Sequence, residues 1–230
     1  MRKYVPLGWG TFRGKFLQSQ NVYVVDDDRD VRVAISFMLN AARTQARPFA
    51  SGRDLLDNLD DLQAGVFLLD IRMPEMDGFQ VMEALAQRGV DWPVVVMTGH
   101  GEVSTAVRGM KLGAVDFLEK PFAEDVLAHA LERAFLLLKE RAEKTEQRRR
   151  AKGRMAVLSR REEEILRGLL AGLPNKVLAR RLDISLRTVE MHRANMMTRL
   201  GAESLAEALM VAVAAGTEPL APELDEKLRA

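Results

Sequence analysis

Residues 22–32 read VYVVDDDRDVR, three aspartates set directly after an apolar run. Val22, Val24 and Val25 are β-branched and Tyr23 suits a strand, so the run reads as a buried strand. No Gly or Pro interrupts it. Adjacent carboxylates repel and raise each other's pKa, so the cluster needs a reason. Two readings stand at this point. Asp28 caps a following helix while Asp26 and Asp27 are solvated. Alternatively, Asp26 and Asp27 hold a hard cation such as Mg²⁺, which takes oxygen ligands.

The neighbouring sequence decides the frame around that strand. Further strands are predicted at 45–49, 66–70, 94–98 and 116–119. Helices are predicted at about 29–42, 52–60, 78–88, 103–112 and from 123 onward. The runs VFLLD and PVVVMT are apolar on both faces, as parallel strands covered by helices must be. The expectation is an α/β doubly wound (βα)5 domain, in which sites form at the carboxyl ends of the strands. The first strand ends at Asp26 and Asp27, the third at Asp70, the fourth at Thr98 and the fifth at Lys120, followed by Pro121. Each could be a loop residue, a cap or a solvated end. Their convergence on one edge favours a site. Three carboxylates suit Mg²⁺, which binds through one or two of them with waters and a phosphate.

The stretches VVDDDRDVR, LLDIRMPEMDG and MTGHGEVSTAVRGMKLGAVDFLEKPF resemble the receiver domain of two-component response regulators, FixJ-like branch, over residues 21–125. The resemblance implies that Asp70 accepts a phosphoryl group from a sensor histidine kinase. It implies Mg²⁺ held by Asp27 and Asp70, by Asp26 through a water, and by the backbone carbonyl of Arg72. Lys120 and Thr98 would meet the phosphoryl oxygens, and a cis peptide would precede Pro121. Phe117 reads either as core or, by resemblance, as a rotamer switch coupled to Thr98. The phosphorylated form would dimerise on the face of helix 103–112, strand 116–119 and helix 123–138.

Length and composition agree with two modules. The chain has 230 residues, 47% of them hydrophobic. It has no cysteine, which excludes disulfides and thiolate metal sites and fits a reducing, cytoplasmic setting. No apolar run approaches the ~20 residues of a membrane span. Residues 1–20 are basic without the apolar core of a signal peptide and read as a disordered extension. The net charge of +1 hides an asymmetry. Residues 21–122 carry 10 Lys/Arg against 16 Asp/Glu, net −6, while residues 176–199 carry 6 against 2, net +4. An acidic half joined to a basic half suggests a cation or regulatory module fused to a nucleic-acid module.

Between the halves, Val126, Leu127, Ala130, Leu131, Ala134, Leu137 and Leu138 form a helical apolar stripe that should pack on the receiver, bounded at 21–138. Residues 139–156 then read as a charged linker helix, with Gly153 as its stop. Ser159 and Glu162 make a capping box, as do Ser204 and Glu207. A short helix, a tight turn at DIS and a longer helix over 186–200 make a helix-turn-helix within residues 157–215, leaving 216–230 as a tail. This segment resembles the LuxR-type DNA-binding domain. The resemblance makes 186–200 the recognition helix. Thr188, Met191, His192 and Asn195 share a stripe, with Arg187 and Glu190 beside it, while Met196, Met197 and Leu200 look to the core. Lys176, Thr188, Arg193 and Arg199 are candidates for phosphate contacts, and Glu190, Met191 and Ala194 sit where the family meets base edges. His192 reads as packing, phosphate contact or base readout.

The function expected is a phosphorylation-switched regulator that binds promoter DNA and works with RNA polymerase, and not a turnover enzyme. A Mg²⁺-dependent nuclease or phosphatase is the competing reading. A two-metal site, however, wants more carboxylates and no ammonium beside the phosphate. A constitutive DNA binder with a receiver used only for dimerisation is the third. No G-x-x-x-x-G-K-[ST] motif occurs, which argues against a P-loop ATPase between the modules.

Overall fold

The structure, a computed structural model, describes residues 20–99 and 103–221. The expected extension over 1–20 therefore lies outside the described residues except for Gln20, as do residues 222–230 of the expected tail. Two compact units divide the chain, one ending at Arg141 and one beginning at Ala142.

In the first unit, β1 (Asn21–Val25), β2 (Gln45–Phe49), β3 (Gly65–Asp70), β4 (Val94–Thr98) and β5 (Asp116–Glu119) form one parallel sheet in the order β2-β1-β3-β4-β5. Helices α1 (Arg29–Ala41), α2 (Gly52–Asp57), α3 (Gly78–Gln87), α4 (Val103–Lys111) and the first part of α5 (Glu124–Met155) complete it. Strand alternation sends Tyr23, Val25, Phe67, Leu69, Val94 and Val96 into one core, and Val22, Val24, Val66, Leu68, Val95 and Met97 into the other. Both faces are buried, as the unbroken apolar runs required. β2 is the exception, reading QARPF, mostly exposed and carrying Pro48. It is an edge strand, where a missing ladder donor is tolerated.

On α5, Leu127, Ala130, Leu131 and Ala134 are buried against the sheet, and Leu138 packs beside them. Val126, expected in that stripe, is instead 47% exposed.

The second unit holds the end of α5 with α6 (Arg160–Leu170), α7 (Asn175–Arg181), α8 (Leu186–Leu200) and α9 (Leu205–Ala215). Gly153 does not stop α5, which continues to Met155. The physical reason is packing. Ala151 is buried, and with Met155 it joins the core of Leu166, Met196, Leu200, Ala208 and Ala212. Burial there outweighs the ~1 kcal/mol that glycine costs a helix interior. Residues 151–155 therefore belong to the C-terminal core and not to a solvated linker. The segment after α9 is also less free than a tail. Leu220 packs near Leu178 and Ile165, its N–H bonds Arg167 O at 3.0 Å, and Arg181 donates to the carbonyl of Ala221.

Candidate functional site

The parallel sheet delivers its strand ends to one edge. β1 and β3 run in register, so Asp26 follows Val25 beside Leu69, and Asp70 follows at the next step. Asp26 and Asp70 are buried, Asp27 is exposed, and ligand oxygens of the three lie within 4.8 Å of one another. The aspartates after β1 divide between both roles. Asp28 does cap α1, its Oδ1 accepting from the N–H groups of Asp30 at 2.8 Å and Val31 at 3.4 Å. Asp26 and Asp27 stand with Asp70 in the acidic cluster.

Lys120 balances the charge. Its Nζ donates to Asp26 Oδ2 at 2.5 Å and Asp70 Oδ1 at 2.8 Å. The Lys120–Pro121 peptide is cis, as expected. Burial pushes the Asp70 carboxyl up from the ordinary carboxylate value, and the Lys120 bond offsets only part of that rise. Burial alone would lower the Lys120 ammonium, but the bonds it donates to Asp26 and Asp70 outweigh that and raise it. Thr98 is fully buried at the end of β4. Phe117 is half-buried and packs on the core cluster of Phe67 and Val96. Arg72 is exposed, two residues past Asp70.

Two contributors were not legible in the sequence. Arg32 donates to the carbonyls of Asp26 at 2.7 Å and Asp27 at 3.0 Å, and so ties α1 to the acidic loop. Gly78 brings α3 against the site: a Cβ there would stand 2.4 Å from the Asp70 carbonyl oxygen. Nothing in residue spacing marks either contact, because both depend on how α1 and α3 pack.

The helical unit divides the expected DNA contacts. Lys176 on α7 and Arg187, Glu190, Met191, Ala194 and Asn195 on α8 are exposed. Others turn inward. Thr188 Oγ1 lies 2.8 Å from Ser185 Oγ, whose hydroxyl also caps α8 by accepting from Thr188 N. Arg193 donates to Asn175 Oδ1 at 2.6 Å and ties α8 to α7. Arg199, expected on phosphate, bonds Glu162 Oε2 at 3.0 Å, because a carboxylate only 2% exposed requires a counter-charge. The same oxygen accepts from Ser159 N in the α6 capping box. His192 is half-buried, and its Nδ1 is buried without a hydrogen-bond partner among the described residues, which removes that nitrogen from base readout.

Residues 22–132 match the family described as Response regulator receiver domain, and residues 156–212 match Bacterial regulatory proteins, luxR family. The transcriptional regulatory protein FixJ of Bradyrhizobium diazoefficiens is 41% identical over 196 residues, spanning 85% of this chain and 96% of that one. The chain belongs to the FixJ family of response regulators. A FixJ from Rhizobium meliloti is 40% identical over 86% of this response regulator and 97% of its own length. Among solved structures, the response regulator StyR matches with a TM-score of 0.71 at 35% identity, covering 85% of this chain and 98% of that one. Full-length FixJ from B. japonicum matches with a TM-score of 0.55 at 41% identity, over 86% and 98%. This response regulator is therefore a two-component transcription regulator, a receiver joined to a LuxR-type DNA-binding domain, with a histidine kinase and DNA as its partners. Receiver domains bind Mg²⁺ at an acidic pocket, and the donor set here fits: three carboxylates offer hard oxygen ligands within one ion's reach. Among the described residues, no helix is long and apolar enough to cross a membrane.

Proposed function

We propose that Asp70 is the phosphoacceptor and that its modification switches dimerisation and DNA binding. The observation that carries this reading is Lys120, whose ammonium bridges Asp26 and Asp70 at the edge where the buried Thr98 also ends its strand. A carboxylate oxygen of Asp70 forms the new P–O bond as the P–N bond to the kinase histidine breaks, and the leaving imidazole takes up a proton. Phosphoryl transfer asks mainly for positioning and charge neutralisation. Lys120 supplies a positive charge that offsets part of what burial costs the Asp70 carboxylate and then faces the phosphoryl oxygens. Thr98 supplies a hydroxyl to one of them. Asp27 and Asp70, with Asp26 through water and the Arg72 carbonyl, would hold Mg²⁺, which neutralises phosphoryl charge when bound. The acyl phosphate is lost by slow self-hydrolysis, so the protein carries a signal and does not turn over substrate.

The phosphoryl group adds about −1.5 to −2 charge, which Thr98 and Lys120 follow while Phe117 takes up the space that Thr98 leaves. Val107 and Met110 on α4 and Val126 on α5 are exposed apolar groups that would be covered in a dimer on this face. A dimer sets two α8 helices on neighbouring major-groove half-sites, which raises affinity through effective concentration. The active dimer then acts on RNA polymerase at promoters, in the cytoplasm.

The test is labelling by beryllofluoride or a small acyl phosphate, read by mass spectrometry. Modification should require Mg²⁺ and vanish in Asp70→Asn. Undiminished labelling of that variant would reject the assignment. Sedimentation of wild type and Thr98→Ala with beryllofluoride tests the dimer: wild type should shift to dimer and the variant less. Equal dimer with and without the mimic would reject phosphorylation-driven association.

A further inference from the structure

Arg154 lies one residue before the end of α5 and reaches across to the end of α8. Its Nε donates to Leu200 O at 2.9 Å, and its Nη2 to Gly201 O at 3.2 Å and Glu207 Oε1 at 2.9 Å. Leu200 and Gly201 are the last residue and the left-handed C-cap of the recognition helix. Their carbonyls lie at the negative end of the helix dipole, where a cation is favoured. Glu207 is the first-turn acid of α9, and its other oxygen accepts from Glu203 N at 3.0 Å. One guanidinium thus joins the end of α8 to the start of α9. Its fork geometry is what makes three acceptors possible. Beside it, Ala151 and Met155 pack with Met196 and Leu200.

We propose that Arg154 is a positioning residue for DNA recognition: its guanidinium fixes the C-terminal end of α8 against α9, so that the exposed row Arg187, Glu190, Met191, Ala194 and Asn195 meets base edges at a set angle. The LuxR-type domain thereby acquires the last turn of α5 as a working part. Arg154 is a basic residue in a basic segment, so a direct phosphate contact is the competing explanation, and the partner carboxylate separates the two.

The experiment uses the full chain, with beryllofluoride and Mg²⁺ present throughout. Duplexes selected from a random pool by wild-type protein are compared with scrambled duplexes of equal length by fluorescence anisotropy. Thermal unfolding runs in parallel. Arg154→Gln should lose about tenfold in affinity for selected duplex, the worth of a charge-assisted bond, and much less for scrambled duplex. Arg154→Lys, which keeps the charge but not the fork, should fall between. Glu207→Gln is the deciding variant. It makes the protein more positive, so a purely electrostatic role predicts tighter binding to both duplexes. Positioning predicts a lower selected-to-scrambled ratio instead. An unchanged ratio in Glu207→Gln, or an equal loss on both duplexes in Arg154→Gln with a shallower salt slope, overturns the proposal. Should Arg154→Gln fail to fold, the ratio in Arg154→Lys and Glu207→Gln decides.

Discussion

Lys120 and Asp70 stand 50 residues apart in sequence and 2.8 Å apart in space. The ammonium also holds Asp26 at 2.5 Å, so one cation serves two buried carboxylates. Removing one member of a buried ion pair costs more than the pair itself contributes, because a charge is left uncompensated.

Lys120→Met should therefore destabilise the receiver by about 3 kcal/mol near neutral pH. The raised pKa of Lys120 means that its contribution is fully present below the unfolded lysine value and fades only as pH rises through the folded one. Urea unfolding should show a large deficit at neutral pH that narrows in acid, where the orphaned carboxyls take up protons. A deficit independent of pH would show that lost packing, and not charge, is the cause.

Asp70→Asn should act in the opposite direction. A carboxyl whose folded pKa is raised opposes folding once it ionises. That cost is absent below the unfolded value of about 4 and grows as pH climbs from there through the folded value. Asp26 still holds the ammonium in this variant. The receiver should unfold at higher urea than wild type near neutrality and at the same urea below pH ~4. Equal midpoints at both pH values would contradict the argument.

Gly78→Ala tests the support beneath the phosphoacceptor. The added Cβ would meet the Asp70 carbonyl at 2.4 Å and the Ile71 Cα at 3.0 Å, so backbone has to move. A stability loss of about 1–3 kcal/mol is expected from such overpacking. Because the displaced atom belongs to the nucleophile's own residue, acyl phosphate labelling should slow on the order of tenfold. Wild-type kinetics in a destabilised variant would separate the two effects and reject the second.

Lys176→Ala and Glu190→Ala should part ways on DNA. Lys176 is exposed on α7 and Glu190 on α8. Loss of a phosphate contact should weaken all duplexes alike and flatten the slope of log K against log salt by about one. Loss of Glu190, which can accept from cytosine N4, should change the preference among duplexes. Identical behaviour would mean that the division between positioning and readout is wrong.

By itself the sequence determined the parallel sheet, the two-part chain and the acidic edge. Apolar runs such as VFLLD and VVVMT admit no exposed face, and polar residues collect where each such run stops. Caps were equally legible, since Ser159 with Glu162 is a local pattern whose partners sit within one turn. Only the tertiary structure decided what crosses between elements. Arg32 on the loop carbonyls, Gly78 under Asp70, Arg193 on Asn175, Arg199 on Glu162 and Arg154 on the α8 cap all join residues from different elements. A basic residue on a helix looks the same in sequence whether it meets a phosphate or a neighbouring carboxylate. Gly153 makes the same point for the backbone: its local preference to stop a helix is worth about 1 kcal/mol, and the burial of Ala151 and Met155 on either side overrides it.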